Sequence, residues 1–233
     1  MTKSSTIRIL AAIGFLCLGV FPRVQAQSLA QQGTSVEDIV PQGWLNQEAT
    51  GDLNKDGITD LVVVATPDYQ ENTMTRDDGY VYNFNQPILA IYFGTGEGQQ
   101  RLWKQYDNVI PANENENCGF ETSLEITSRG ALRISIELFC SMGSYSTSID
   151  RYTYRYQNGD FYLIGADFEE LLRNKGDQTI ISENYLTWKR QEKWYNVFQY
   201  EKDPIEKWSR LPKKPLEKLG EKRLGGQEDI GEG

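Results

Sequence analysis

The chain contains no histidine. That excludes Ser-His-Asp and Cys-His nucleophile systems, imidazole zinc sites and histidine proton relays together. Cysteine is scarce as well, with three residues and no Cys-x-x-Cys spacing, so a dithiol redox motif is missing. Basic charge is in deficit, 24 Lys and Arg against 33 Asp and Glu. An acidic chain repels phosphate instead of releasing its counterions, which argues against nucleic acid and anionic lipid as partners. Long apolar runs are lacking too: Ile9 to Phe21 is too short and too interrupted for a comfortable membrane span.

That run reads as part of a secretory signal peptide covering residues 1–26. Lys3 and Arg8 supply its basic start, Ile9 to Phe21 its apolar centre, and Val24-Gln25-Ala26 a small-residue cleavage site after Ala26. A lipid anchor on Cys17 is disfavoured because Leu16 stands where a small residue is needed. Cleavage removes three basic residues and no acid, taking the formal charge from −9 to −12. The expected location is periplasmic or secreted, with no membrane span after cleavage. The remainder is long enough for one domain with a proper core.

The most informative stretch is Gly51-Asp52-Leu53-Asn54-Lys55-Asp56-Gly57-Ile58-Thr59-Asp60, which runs into Leu61-Val62-Val63-Val64-Ala65. A hard cation such as Ca²⁺ wants six to eight oxygens, and a short loop supplies them only by curling back on itself. With Asp52 as position 1, Asn54, Asp56 and Asp60 fall at 3, 5 and 9, and the Ile58 carbonyl at 7. Gly57 permits the sharp turn. A structural Ca²⁺ held by Asp52, Asn54, Asp56, Ile58 and Asp60 is the expectation; the alternative is an Asx-turn loop without metal. Position 12 is Val63, not the bidentate Glu of an EF-hand, and a strand-like run follows it instead of a helix. A dockerin would need a second copy, which the sequence does not contain.

These residues resemble an FG-GAP (or VCBS) repeat, the blade unit of integrin α-chain propellers, in which an Asp-rich loop joins two strands of one sheet. Asp60 to Pro67 looks like the strand and its "GAP" end, and Ile88 to Gly94 with Thr95-Gly96 like the next strand and its "FG" turn. The likeness covers residues 50–97. One copy falls short of the four blades a propeller needs, so the chain looks like the small secreted bacterial proteins that carry a single repeat.

Cys118 and Cys140 are the cysteines left after cleavage, and in an oxidising compartment a pair implies one disulfide. The pattern between them agrees. Phe120, Leu124 and Ile126 alternate with polar residues up to Ser128-Arg129-Gly130, after which Leu132, Ile134, Ile136 and Leu138 alternate again. Folding this hairpin about Arg129 pairs Ile126 with Leu132, Leu124 with Ile134 and Glu125 with Arg133, and sets Cys118 opposite Cys140. Closing such a ring stabilises by about 3 kcal/mol in the chain-entropy estimate.

A second hairpin is expected where Tyr152, Tyr154 and Tyr156 lead to Asn158-Gly159 and Phe161 to Ile164 return. A third is expected from Tyr185-Leu186-Thr187-Trp188 and Trp194 to Tyr200 about Arg190-Gln191-Glu192, with an edge strand over 204–211. Asp167 to Arg173 reads as one short helix. Residues 27–42 read as a polar lead-in, 67–86 as a polar insertion and 213–233 as a disordered tail. The fold class is all-β, with antiparallel hairpins over residues 43–212 forming a sandwich, barrel or partial propeller-like sheet.

The functional reading is a calcium-binding scaffolding or binding module, not an enzyme, with a protein or glycan at the cell envelope as partner. Exposed Tyr152, Tyr154, Tyr156, Trp188 and Trp194 would suit sugar stacking, while strand aromatics also simply pack sheet faces. A histidine-independent glycoside hydrolase needs two placed carboxylates; Asp167, Glu169 and Glu170 are candidates by proximity alone.

Overall fold

Two kinds of apolar pattern produce two kinds of strand. Leu61 to Ala65 and Ile88 to Tyr92 are continuous apolar runs, as expected for strands covered on both faces. In the computed structural model, which describes residues 28–199 and 201–225, they are the centre of a five-stranded antiparallel sheet. It comprises β1 (Gln32–Gly33), β2 (Leu45–Gly51), β3 (Asp60–Thr66), β6 (Ile88–Gly94) and β7 (Gln100–Tyr106), in the order β1-β7-β6-β3-β2. Strands β2, β3, β6 and β7 form a four-stranded meander, the strand count and order of one propeller blade. A small hairpin, β4 (Thr73–Thr75) with β5 (Val81–Asn83), is inserted between β3 and β6.

One face of β3 and β6, carrying Val62, Val64, Leu89 and Ile91, packs into a core shared with a second sheet. The other face, with Leu61, Val63, Ala65, Ile88, Ala90 and Tyr92, is covered by Leu29, Val36, Ile39 and Val40. The expected polar lead-in is therefore a packed segment. It includes one helical turn, α1 (Val36–Ile39), whose buried residues stand at helical spacing.

The second sheet is a seven-stranded antiparallel meander with every strand beside its neighbour in sequence. It runs through β8 (Cys118–Ile126), β9 (Ala131–Cys140), β10 (Ser146–Gln157), β11 (Asp160–Leu172), β12 (Asp177–Asn184), β13 (Lys189–Asn196) and β14 (Ile205–Arg210). The all-β expectation holds. So does the first hairpin's register, with Ile126 opposite Leu132, Glu125 opposite Arg133 and Cys118 opposite Cys140. Gln157 pairs Asp160 across Asn158 and Gly159, which have φ of 51° and 79°, the primed two-residue turn that Asn-Gly favours.

Three further expectations are corrected. Asp167 to Arg173 is not a helix: most of it is the end of β11, held between β10 and β12, with Ala166 and Phe168 turned into the core. Pairing on both sides overrides helical spacing. The third hairpin turns at Tyr185 to Trp188, not at Arg190 to Glu192, and Trp188 takes a left-handed φ of 55° there. The tail is not disordered over residues 213–225. Leu219 and Leu224 are buried, and main-chain bonds run from Leu163 N to Glu217 O, Leu219 N to Phe161 O and Leu224 N to Val109 O. Sparse leucines are enough when each fills a place in the core. The expected signal peptide and its cleavage site lie outside the described residues, as do residues 226–233 of the tail.

Candidate metal site

The loop from Asp52 to Ile58 joins β2 to β3, whose register ends with Gly51 opposite Asp60. Its side-chain oxygens fold inward onto its own amides, as short Asx side chains do in turns. Asp52 Oδ1 accepts from Lys55 N (2.7 Å) and Asp56 N (3.2 Å), and Oδ2 from Gly57 N (3.0 Å). Asn54 Oδ1 accepts from Asp56 N (3.0 Å), and Asp56 Oδ1 from Ile58 N (2.8 Å). Asn54 Nδ2 donates to Asp56 Oδ2 at 2.9 Å. Lys55 and Gly57 adopt left-handed φ of 65° and 84° to allow the curl.

Asp60 does something else. It is fully buried, and each of its two oxygens has its own partners. Oδ2 accepts from Leu53 N (2.8 Å) and from Asn54 N (3.4 Å), while Oδ1 accepts from Gly94 N at the end of β6 (2.9 Å). Burial pushes its carboxyl above the ordinary range, against these amides, which favour the ionised form. Asp60 thus ties the loop to the neighbouring strand, and Asp56 lies near enough to add a like charge to its surroundings.

The loop is seated between the two sheets. A Cβ at Gly94 would collide with the Thr59 carbonyl and Ile58 Cγ2, and one at Gly130, in the β8–β9 turn, would lie 2.5 Å from the Asp52 carbonyl. Leu53 plugs into the shared core. Gln100 Nε2 adds a bond to Thr59 O at 2.9 Å. Close approach of another segment at Gly94 and Gly130 leaves no local signal in the sequence.

Among the described residues, no group of three or more His, Cys, Asp or Glu side chains converges as a metal cage. The donor chemistry that does fit a hard cation is Asp52, Asn54 and Asp56 with the Ile58 carbonyl and, at the loop base, Asp60, all oxygens of one short segment. Carboxylate oxygens that accept one amide bond keep a second lone pair for an ion.

The other sequence candidates separate clearly. Cys118 and Cys140 are bonded, with S–S of 2.08 Å and Cα–Cα of 4.0 Å. Tyr152 and Tyr154 are buried core residues, and Tyr156 packs at 5.1 Å from both Phe93 and Phe161, so these three form no sugar platform. Trp188 and Trp194 are half-buried, Trp188 with its ring 6.2 Å from that of Tyr185. Glu169 and Glu170 are neighbours on β11 and face opposite sides of the sheet. Glu169 pairs with Arg151 (3.1 Å) and Glu170 accepts from Ser146 Oγ (2.6 Å), which leaves them apart as an acid and nucleophile.

A concave surface unmarked by any sequence motif lies at the disulfide end. It has a volume of about 420 Å³ and is lined by Tyr80, Tyr82 and Phe139 together with Asp78, Glu121 and Glu137. Tyr80 and Phe139 are largely exposed there. No helix among the described residues is long and apolar enough to cross a membrane.

Comparison with known proteins fits the loop and its strands. No curated protein and no solved structure matches the chain. The family model that matches is that of the FG-GAP repeat, over residues 45–84, from the start of β2 to just past β5. It starts earlier than the expected 50–97 and stops before β6. The Asp-rich loop at the junction of the sheets therefore lies inside the segment, residues 45–84, that matches the FG-GAP repeat.

Proposed function

We propose that the protein is a binding or scaffolding module of the cell envelope or exterior, in which Ca²⁺ at the 52–58 loop is structural. The observation that carries this is that Asp52, Asn54 and Asp56 share one tightly curled loop wedged between the two sheets. Bound there, Ca²⁺ would supply positive charge to an acidic loop. Asp52, Asn54, Asp56 and Asp60 hold the ion through side chains and Ile58 through its carbonyl, with water filling the remaining positions. Asp60 also positions the loop: its bonds to Leu53, Asn54 and Gly94 fix both ends. The Cys118–Cys140 bond and the leader-like residues 1–26 support an oxidising location.

The test is thermal unfolding with the disulfide intact, in excess EGTA and in millimolar CaCl₂ or MgCl₂. Extracellular loops of this kind bind with Kd on the order of 10⁻⁴–10⁻³ M. Calcium at ten times Kd stabilises by about 1.4 kcal/mol, which for a domain of this size raises Tm by roughly 3–6 °C. The rise is expected with Ca²⁺, not with Mg²⁺, and lost in Asp56→Ala. An equal calcium response in Asp56→Ala would rule the loop out as the site.

A further inference from the structure

The two edges of the seven-stranded sheet are treated differently. At the β8 edge, main-chain donors are capped by asparagines: Phe120 N donates to Asn113 Oδ1 (2.7 Å) and Cys118 N to Asn115 Oδ1 (2.9 Å). At the β14 edge, no strand or side-chain cap among the described residues covers the outer side. Ile205 and Trp208 are 70% and 61% exposed on this bare strand. An open edge with exposed large apolar side chains is a template for another strand.

The phase of its free groups follows from the register. Leu211 N donates to Trp188 O at 2.9 Å, and antiparallel bonding alternates along a strand. The main-chain groups of Ile205, Lys207 and Ser209 therefore face β13, and those of Glu206, Trp208 and Arg210 face outward. The next outward positions on either side are Pro204 and Pro212, which have no N–H. The open ladder is thus three residues long and centred on Trp208.

We propose that this edge pairs with the same edge of a second copy of the chain, antiparallel, with the two Trp208 residues opposite each other. That register uses all three outward residues of each strand, forming about six bonds between the copies. It also matches charge. Arg210 stands directly opposite Lys189 on β13, a like-charge pair with no carboxylate in salt-bridge contact among the described residues. Pairing about Trp208 brings Glu206 of the second copy beside Arg210, twice over by symmetry. Registers centred on Glu206 or Arg210 would instead oppose like charges and bring a proline into the ladder. The two sheets then continue as one across the dimer axis.

Sedimentation equilibrium of the purified protein over a concentration series tests this, with oxidative cross-linking of single-cysteine variants. The wild type is expected to dimerise reversibly, Arg210→Glu to shift strongly toward monomer, and the Glu206→Arg/Arg210→Glu charge swap to recover dimer. Residues opposed in a bonded pair lie about 5.5 Å apart at Cα, within disulfide reach. Trp208→Cys should therefore cross-link to a covalent dimer, whereas Lys207→Cys, opposite Ser209 of the second copy, should not. A wild type that stays monomeric throughout, with no Trp208→Cys cross-link, overturns the proposal. So does a dimer indifferent to Arg210→Glu, or one in which Lys207→Cys cross-links as readily as Trp208→Cys.

Discussion

Strands β9 to β11 bury Leu132, Ile134, Tyr152, Phe161 and Leu163 against the first sheet, whereas no residue of β13 or β14, in the same sheet, is fully buried. The inner strands are held by a two-layer core. The outer ones form a single-layer wing held by ladder bonds and charge. Arg190 lies 3.3 Å from Glu183 and 2.8 Å from Glu192, and Lys193 lies 3.1 Å from Glu206. The exposed Lys193–Glu206 pair contributes about 0–1 kcal/mol, far less than a buried aromatic. A sheet can thus keep its register well beyond its core, but the stability resides at the covered end.

Substitutions at the two ends measure that contrast. Phe161→Ala, at the centre of the Trp103–Tyr156–Phe161 cluster and beneath Leu219, is expected to cost about 3–5 kcal/mol in denaturant unfolding. Removing the Cys118–Cys140 bond with the double Ser variant is expected to cost about 2–4 kcal/mol, since it releases a 22-residue separation at the core end. Trp208→Ala, an aromatic truncation in the wing, is expected to stay within about 0.5 kcal/mol when measured on monomer. A Trp208→Ala loss matching that of Phe161→Ala would erase the distinction between core and wing.

The same contrast explains what could be read from the residues. The β8–β9 hairpin was legible because alternating apolar residues and two cysteines demand one register, and the β10–β11 turn because Asn158-Gly159 suits a primed turn. The β12–β13 turn was misplaced because Lys189 to Lys193 has no apolar period, so its strand character comes from neighbours on both sides. In the loop, spacing alone brought together Asp52, Asn54 and Asp56. It did not reveal the work of Asp60, because its Gly94 partner lies 34 residues away. The tail and the lead-in are illegible for a related reason: Leu219, Leu224 and Leu29 stand among mostly polar residues, and only the packing around each makes them core.

The neighbour-by-neighbour order of β8 to β14 also sets a sequence of events in time. Each pairing in that meander closes a short turn, such as the two residues between Gln157 and Asp160. Little loop entropy is lost before contacts form, so the sheet can zip outward from the β10–β11 hairpin. The first sheet has no such route to completion: its edge pairing joins Gln32 to Arg101. The FG-GAP loop, lodged where the Gly130 turn meets β3 and β6, is the point at which a fast-forming sheet meets a slow one.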